Sequence, residues 1–167
     1  MEIGEAKNMI RALPLSGTVP QLWADLGCGS GLFTRALLSL LPPAGTVYAF
    51  DKSPQAFNEP GIQFSRLDFE KQALPVPLLS GILMANSLHY ISNQLELITR
   101  LKTQLRPQGM LAIIEYDTRE ANPWVLYPVP PEKARRLAID AGFTNFSLLN
   151  TRKSIYQGGG MYLAAIS

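Results

Sequence analysis

The sequence predicts an α/β fold built on a doubly wound, mostly parallel sheet, and three observations predict it. Short apolar runs bounded by turn residues alternate with segments of helical periodicity, as expected of strands covered on both faces by crossover helices. Three acids, Asp25, Asp51 and Asp68, stand at or next to the ends of successive predicted strands. Between the first strand and the first crossover helix lies Asp25-Leu26-Gly27-Cys28-Gly29-Ser30-Gly31, an acid followed by three alternating glycines.

The elements follow in order. Residues 4 to 13 predict a leading helix and Gln21 to Leu26 the first strand. Leu32, Phe33, Ala36, Leu37 and Leu40 recur on one face of a helix over Gly31 to Leu41, which Pro42-Pro43 stops. Thr46 to Phe50 is the second strand, closed by Asp51, and a short helix after it is cut off by Glu59-Pro60-Gly61. Ile62 to Leu67 is the third strand, closed by Asp68, and Gly81 to Ala85 the fourth. Leu95, Ile98, Leu101 and Leu105 form the stripe of a helix over Asn93 to Leu105, and Arg106-Pro107-Gln108-Gly109 turns it into a fifth strand, Met110 to Glu115. A helix over Pro131 to Ala141 has proline early and Gly142 just past its end. Asn145 to Asn150 and Ser154 to Ala165 read as a terminal strand pair joined near Thr151 to Lys153, with a bulge or bend at Gly158-Gly159-Gly160.

The 167 residues suit a single domain, 1–167, that buries roughly 70% of its unfolded surface. A hydrophobic content of 47% is high, but runs such as Ile82 to Ala85 are far too short for a bilayer, and the start lacks the basic segment and apolar core of a secretory signal. A cytoplasmic location is expected, with no membrane partner. Cys28 is the sole cysteine, which excludes an intrachain disulfide or a cysteine-rich metal site and reads as a small core-facing residue. A net charge of +2 gives no strong nucleic-acid signal, and Arg135-Arg136 and Arg152-Lys153 read as solvated faces.

The glycine loop carries the chemistry. Gly27, Gly29 and Gly31 permit positive φ and a close approach of backbone to a ligand. The G-x-G-x-G spacing, with an acid two residues before the first glycine, differs from the G-x-G-x-x-G of dinucleotide enzymes. On this motif and the order of elements around it, nearly the whole chain resembles the class I S-adenosylmethionine-dependent methyltransferases, small-molecule type. The resemblance implies their Rossmann-like seven-stranded sheet with a reversed strand in the C-terminal pair, S-adenosyl-L-methionine as cofactor and S-adenosyl-L-homocysteine as product. It implies a cofactor site of Asp25, Gly27, Cys28, Gly29 and Gly31 around the methionine part and Asp51 on the ribose hydroxyls. Asp68 and the Phe69 backbone N–H would take the adenine, Lys52 would border it where the family commonly has an apolar residue, and Asn86 would contact the methionine part.

The segment Ala85-Asn86-Ser87-Leu88-His89-Tyr90 resembles the one that small-molecule members set beside the acceptor. His89, the only histidine, either takes a proton from an acceptor hydroxyl as the catalytic base or shapes the pocket wall. Glu115 to Pro130, with Tyr116, Trp124 and Tyr127, reads as a lid or acceptor wall, or as a stiff loop packed on the helices. No metal site or catalytic triad is expected. The leading expectation is methyl transfer to oxygen, nitrogen or carbon of a small molecule, in a pocket that a homodimer or partner subunit would complete. The alternatives are a protein or RNA methyltransferase with an open cleft, and a non-catalytic scaffold subunit.

Overall fold

The computed structural model describes residues 1–15, 17–153 and 160–167. Its elements are α1 (Ile3–Ile10), β1 (Leu22–Leu26), α2 (Leu32–Leu38), β2 (Thr46–Asp51), β3 (Ile62–Arg66), β4 (Leu79–Ala85), α3 (Gln94–Lys102), β5 (Leu105–Tyr116), α4 (Pro131–Asp140), β6 (Phe146–Arg152) and β7 (Met161–Ile166). A single 3₁₀ turn, Leu88–Tyr90, follows β4. The strands form one seven-stranded sheet in the order β3-β2-β1-β4-β5-β7-β6. Pairing is parallel from β3 to β5, while β7 runs antiparallel to both β5 and β6. The chain winds outward from β1 through β2 to β3, then restarts at β4 on the other side of β1. The crevice at such a reversal, beyond the strands' carboxyl ends, is where open α/β sheets bind ligands.

Alternation along the strands divides the core in two. Ile82, Met84, Leu111 and Ile113 face Leu97, Ile98 and Leu101 of α3 and Ala134 and Ala138 of α4. Leu83, Ala112 and Ile114 face the opposite way, onto Ala6, Met9 and Ile10 of α1 and Phe33, Ala36 and Leu37 of α2. Gly81 is required where β4 meets β1, because a Cβ there would sit 2.5 Å from two carbons of the Trp23 indole. Among the described residues no helix is long and apolar enough to cross a membrane.

Four expectations need correction. No helix follows Asp51: Pro54 and Pro60 leave too short a run to nucleate one, and Phe57 instead packs near Phe64, ring centroids 5.9 Å apart. The buried face of α3 comprises Gln94, Leu97, Ile98 and Leu101, whereas Leu95 is exposed and Leu105 belongs to β5. Arg106-Pro107-Gln108-Gly109 lies inside β5 rather than before it, but is looped out of the ladder, since pairing with β4 jumps from Leu79↔Leu105 to Gly81↔Met110. The helix α2 ends at Leu38, ahead of Pro42-Pro43, where Ser39 Oγ donates to the Ala36 carbonyl at 2.7 Å. The expected feature at Gly158 and Gly159, and the start of the last strand at Ser154, lie outside the described residues.

Candidate functional site

At the carboxyl ends of β1, β2 and β4 is a cavity of about 360 Å³ lined by Gly27, Gly29, Asp51, Lys52, Phe69, Asn86, Ser87, Tyr90 and Ile91. Its volume falls in the usual range for small-molecule sites, about 300–1,000 Å³. Six of the residues singled out in the sequence therefore share one wall. Asp25, Cys28, Gly31, Asp68 and His89 are not among those lining it.

The glycine loop is held by its own hydrogen bonds. Gly27 N–H and Cys28 N–H both donate to the Phe50 carbonyl, at 2.8 and 3.0 Å, and Gly31 N–H donates to the Cys28 carbonyl at 2.9 Å. The three glycines have φ of 78°, 49° and 84°, so all three need the left-handed region, but their surroundings differ. A Cβ on Gly27 would sit 2.6 Å from Ser87 Cβ, and one on Gly31 would strike the Phe57 ring, whereas at Gly29 nothing lies within 4 Å. Gly27 and Gly31 thus serve packing, and Gly29 alone leaves open space for a ligand.

Asp51 closes β2 with both oxygens fixed: Gly29 N–H donates to Oδ2 at 2.9 Å and Ser53 N–H to Oδ1 at 2.8 Å. Each oxygen keeps a lone pair, so the carboxylate is set in direction and still able to accept hydroxyl hydrogens. Asp25 is 1% exposed, and its Oδ2 accepts from Thr34 Oγ1 at 2.6 Å. Its Oδ1 is buried without a hydrogen-bond partner, as is Oδ1 of Asn86. Burial pushes the Asp25 carboxyl up to about 7, against the Thr34 hydrogen bond and with help from the Asp51 charge. Asn86 holds φ 54°, rare for a residue with a side chain, while its N–H donates to the Ile114 carbonyl at 2.8 Å. Two buried acceptors without partners beside the reversal point are a costly arrangement, and of the two residues only Asn86 borders the cavity. Burial pushes the Cys28 thiol up to about 12, which makes it an inert packing group rather than a nucleophile.

At the far end of the cavity Lys52 Nζ lies 3.3 Å from Asp68 Oδ1 and 3.4 Å from Glu70 Oε2. Burial works against the ammonium, but the hydrogen bond and charge of Asp68, then those of Glu70, outweigh it and raise the Lys52 pKa. Asp68 Oδ1 also accepts from Glu70 N–H at 3.2 Å, so this carboxylate is engaged on its own loop while Phe69 presents its face to the cavity.

On the β4–β5 side, His89 and Glu115 form a pair, 2% and 1% exposed in their side chains, with Nδ1 2.6 Å from Glu115 Oε2. Glu115 Oε1 also accepts the His89 backbone N–H at 3.1 Å. A carboxylate on Nδ1 sets the neutral imidazole with its proton there and its lone pair on Nε2. The His89 ring packs 4.3 Å from the ring of Tyr90, which lines the cavity, and 6.1 Å from Tyr116. The connection after β5 is sewn down: Tyr127 N–H donates to the His89 carbonyl at 2.8 Å, and Gln94 Nε2 donates to the carbonyls of Leu88 and Tyr127 at 3.2 and 2.9 Å. These bonds favour the stiff packed loop among the alternatives for 115–130. Sequence reasoning missed Glu115 as a site residue, although it stands one residue before the end of β5. It also missed Ser87, Tyr90 and Ile91 as cavity lining, which sit in or next to a segment already picked out, and the bracing roles of α3 polar residues, for which no motif exists.

Comparison with known proteins agrees with this geometry. A family described as "Methyltransferase domain" matches residues 24–111, more than half of the chain. A trans-aconitate 2-methyltransferase of Escherichia coli is 34% identical over 113 residues, covering 65% of this chain and 43% of the relative. A malonyl-[acyl-carrier protein] O-methyltransferase of Halalkalibacterium halodurans is 30% identical over 103 residues, covering 55% of this chain and 38% of the relative. The chain thus spans less than half the length of these curated relatives. The crystal structure of human N-acetylserotonin methyltransferase in complex with SAM superposes with a TM-score of 0.71 at 22% identity, over 98% of this chain and 51% of that one, a likeness of fold.

Proposed function

The chain belongs to the methyltransferase-domain family with the class I S-adenosylmethionine-dependent fold, and from that premise we propose that it transfers a methyl group from S-adenosylmethionine to a small-molecule acceptor. The observation that carries the reading is the cavity at the β1/β4 reversal, where a fixed Asp51 carboxylate, the open Gly29 and Asn86, whose Oδ1 is buried without a partner, line the same space. Those groups suit a nucleoside with an amino-acid tail: paired acceptors for ribose hydroxyls at one point, and acceptors for an ammonium at another.

Asp51 would take the ribose hydroxyls, and Phe69 would cover the adenine and offer its backbone N–H, with Lys52 and Asp68 at the rim. Asn86 would take the ammonium beside Gly27 and Gly29, with Asp25 behind the loop. When bound, the cofactor supplies a methyl group already activated by a sulfonium leaving group, so the protein's task is alignment and exclusion of water. Orientation of a nucleophile against the methyl is worth on the order of 7 kcal/mol or more. His89, held by Glu115, would accept the proton of an acceptor hydroxyl at Nε2. Tyr90, Tyr116 and Tyr127 would form the acceptor wall. A relative named for trans-aconitate, a small molecule, supports that acceptor class.

Isothermal titration with S-adenosylmethionine and S-adenosylhomocysteine tests the site, with micromolar binding expected. Absence of binding up to millimolar concentration would overturn the proposal. Transfer of labelled methyl into an extract then tests catalysis: a small labelled product supports it, and label confined to protein or RNA defeats the small-molecule reading.

A further inference from the structure

No helix intervenes between β3 and β4; the connection 67–78 covers that part of the sheet as an irregular segment, with Phe69 and Leu74 buried in the core. An irregular segment that contributes core residues must satisfy its backbone carbonyls some other way. Arg100, near the end of α3, does so. Its Nη2 donates to the carbonyls of Phe69 and Glu70, at 2.7 and 2.9 Å, and its Nη1 to that of Gln72 at 2.8 Å. One turn further along, Gln104 Oε1 accepts the Leu74 N–H at 2.9 Å. Within the segment, Lys71 N–H and Gln72 N–H both donate to the Asp68 carbonyl at 3.0 Å, which closes a tight turn on the acid.

We infer that Arg100 is a positioning residue for base recognition: it fixes Phe69 and Asp68 at the adenine end of the cavity by gripping three carbonyls, those of Phe69, Glu70 and Gln72, in the loop that carries them. The inference rests on the reading of the cavity as an adenosyl site. A guanidinium is suited to the task, since its planar donors reach several carbonyls at once and stay charged at every working pH. Lysine in its place keeps the charge but has a single nitrogen to share among the three carbonyls. Leucine keeps the helix and removes all three bonds. The loop would then retain its apolar anchors at Phe69 and Leu74 but lose the register that aims Asp68 and the Phe69 N–H at the base.

The test compares binding of S-adenosylhomocysteine with binding of its inosine analogue, which lacks the exocyclic amino group, to the full chain and to Arg100→Leu and Arg100→Lys. The wild-type protein is expected to prefer the adenine compound. In Arg100→Leu the affinity for S-adenosylhomocysteine should fall about tenfold and the preference over the inosine compound should shrink, while Arg100→Lys restores part of both. A general loosening of the fold would lower both affinities alike and leave their ratio intact. An unchanged ratio in a folded Arg100→Leu variant overturns the inference, although wild-type binding would still support the adenosyl site. Should Arg100→Leu not fold, hydrogen exchange on the wild type decides: amides of residues 69–72 should gain protection with S-adenosylhomocysteine and not with homocysteine, and equal protection by both overturns it.

Discussion

The two ends of the cleft are built from different materials. On the β1–β2–β3 side the chain presents backbone and strand-end acids, each held by main-chain hydrogen bonds: the glycine loop on the Phe50 carbonyl, Asp51 on Gly29 and Ser53. On the β4–β5 side it relies on side chains: the buried His89–Glu115 pair, which ties the turn after β4 to the end of β5, and the rings of Tyr90, Tyr116 and Tyr127. The family match runs from 24 to 111 and so covers the glycine loop, Asp51 and Asp68, with His89 and Tyr90 of the other side, but stops before Glu115, Tyr116 and the connection that follows. A ligand common to many proteins can be gripped by backbone, which tolerates drift in sequence. An acceptor peculiar to one protein needs side chains, which substitution can redesign without disturbing the sheet.

The largest expected effect breaks the second side. Glu115→Leu strands the His89 N–H and Nδ1 in a buried site, and removing one partner of such a pair costs about 3 kcal/mol or more. Urea unfolding should show that loss, whereas Glu115→Gln, which keeps a backbone acceptor but no longer fixes the imidazole tautomer, should lose less stability and still lose methyl transfer. Transfer undiminished in Glu115→Gln would remove the pair from the chemistry. Next comes Asp51→Ala, which deletes the acceptor proposed for the ribose and frees two backbone donors. S-adenosylhomocysteine affinity should weaken by about 1–3 kcal/mol by titration calorimetry, and an unchanged affinity in a folded variant would refute the ribose role.

How much of this was legible in the sequence follows the same division. The order of strands and the crevice-forming loop were readable because glycine and strand-end acids have few other reasons to sit at that spacing. The short helix expected after Asp51 does not form because Pro54 and Pro60 leave too short a run to nucleate one. The α3 stripe was right at Ile98 and Leu101 but took Leu95 in place of Gln94, because Gln94 is buried through its amide, which donates to two carbonyls, and hydropathy does not register such bonds. Glu115 was read as the end of the fifth strand and the start of the loop after it, with no partner. Its pairing with His89 is set by β5 lying beside β4, a fact of topology rather than of local sequence.

A smaller effect sharpens the first side through pH. Burial pushes the Asp25 carboxyl up to about 7 in the folded chain from its ordinary 3.8. Between those values the folded protein holds the proton and the unfolded chain releases it, so stability falls as pH rises from about 4 to about 7. Asp25→Asn, which cannot titrate, should flatten that slope in thermal melts over the same window. An identical slope in both proteins would mean that another group sets it.

The smallest effect on the fold should come from Trp124→Ala, and it separates the two sides most cleanly. Trp124 is 75% exposed, and the bond that ties it to its turn runs from its backbone N–H to Asn122 Oδ1 at 2.9 Å, so truncating the ring removes little packing. Stability should change by less than about 0.5 kcal/mol, as for surface substitutions generally. Binding of S-adenosylhomocysteine should also be unchanged, because Trp124 is not among the residues lining the cavity. If the aromatic connection is the acceptor wall, kcat/KM for the acceptor should nevertheless fall, with the loss in KM rather than kcat, since an exposed ring that covers a bound molecule contributes to the ground state and the transition state alike. The other tryptophan, Trp23, is buried beneath the sheet against Gly81, so acceptor-dependent quenching of the exposed fluorescence reports on Trp124. Quenching that appears with S-adenosylhomocysteine alone would place the ring on the cofactor side and erase the division between the two ends.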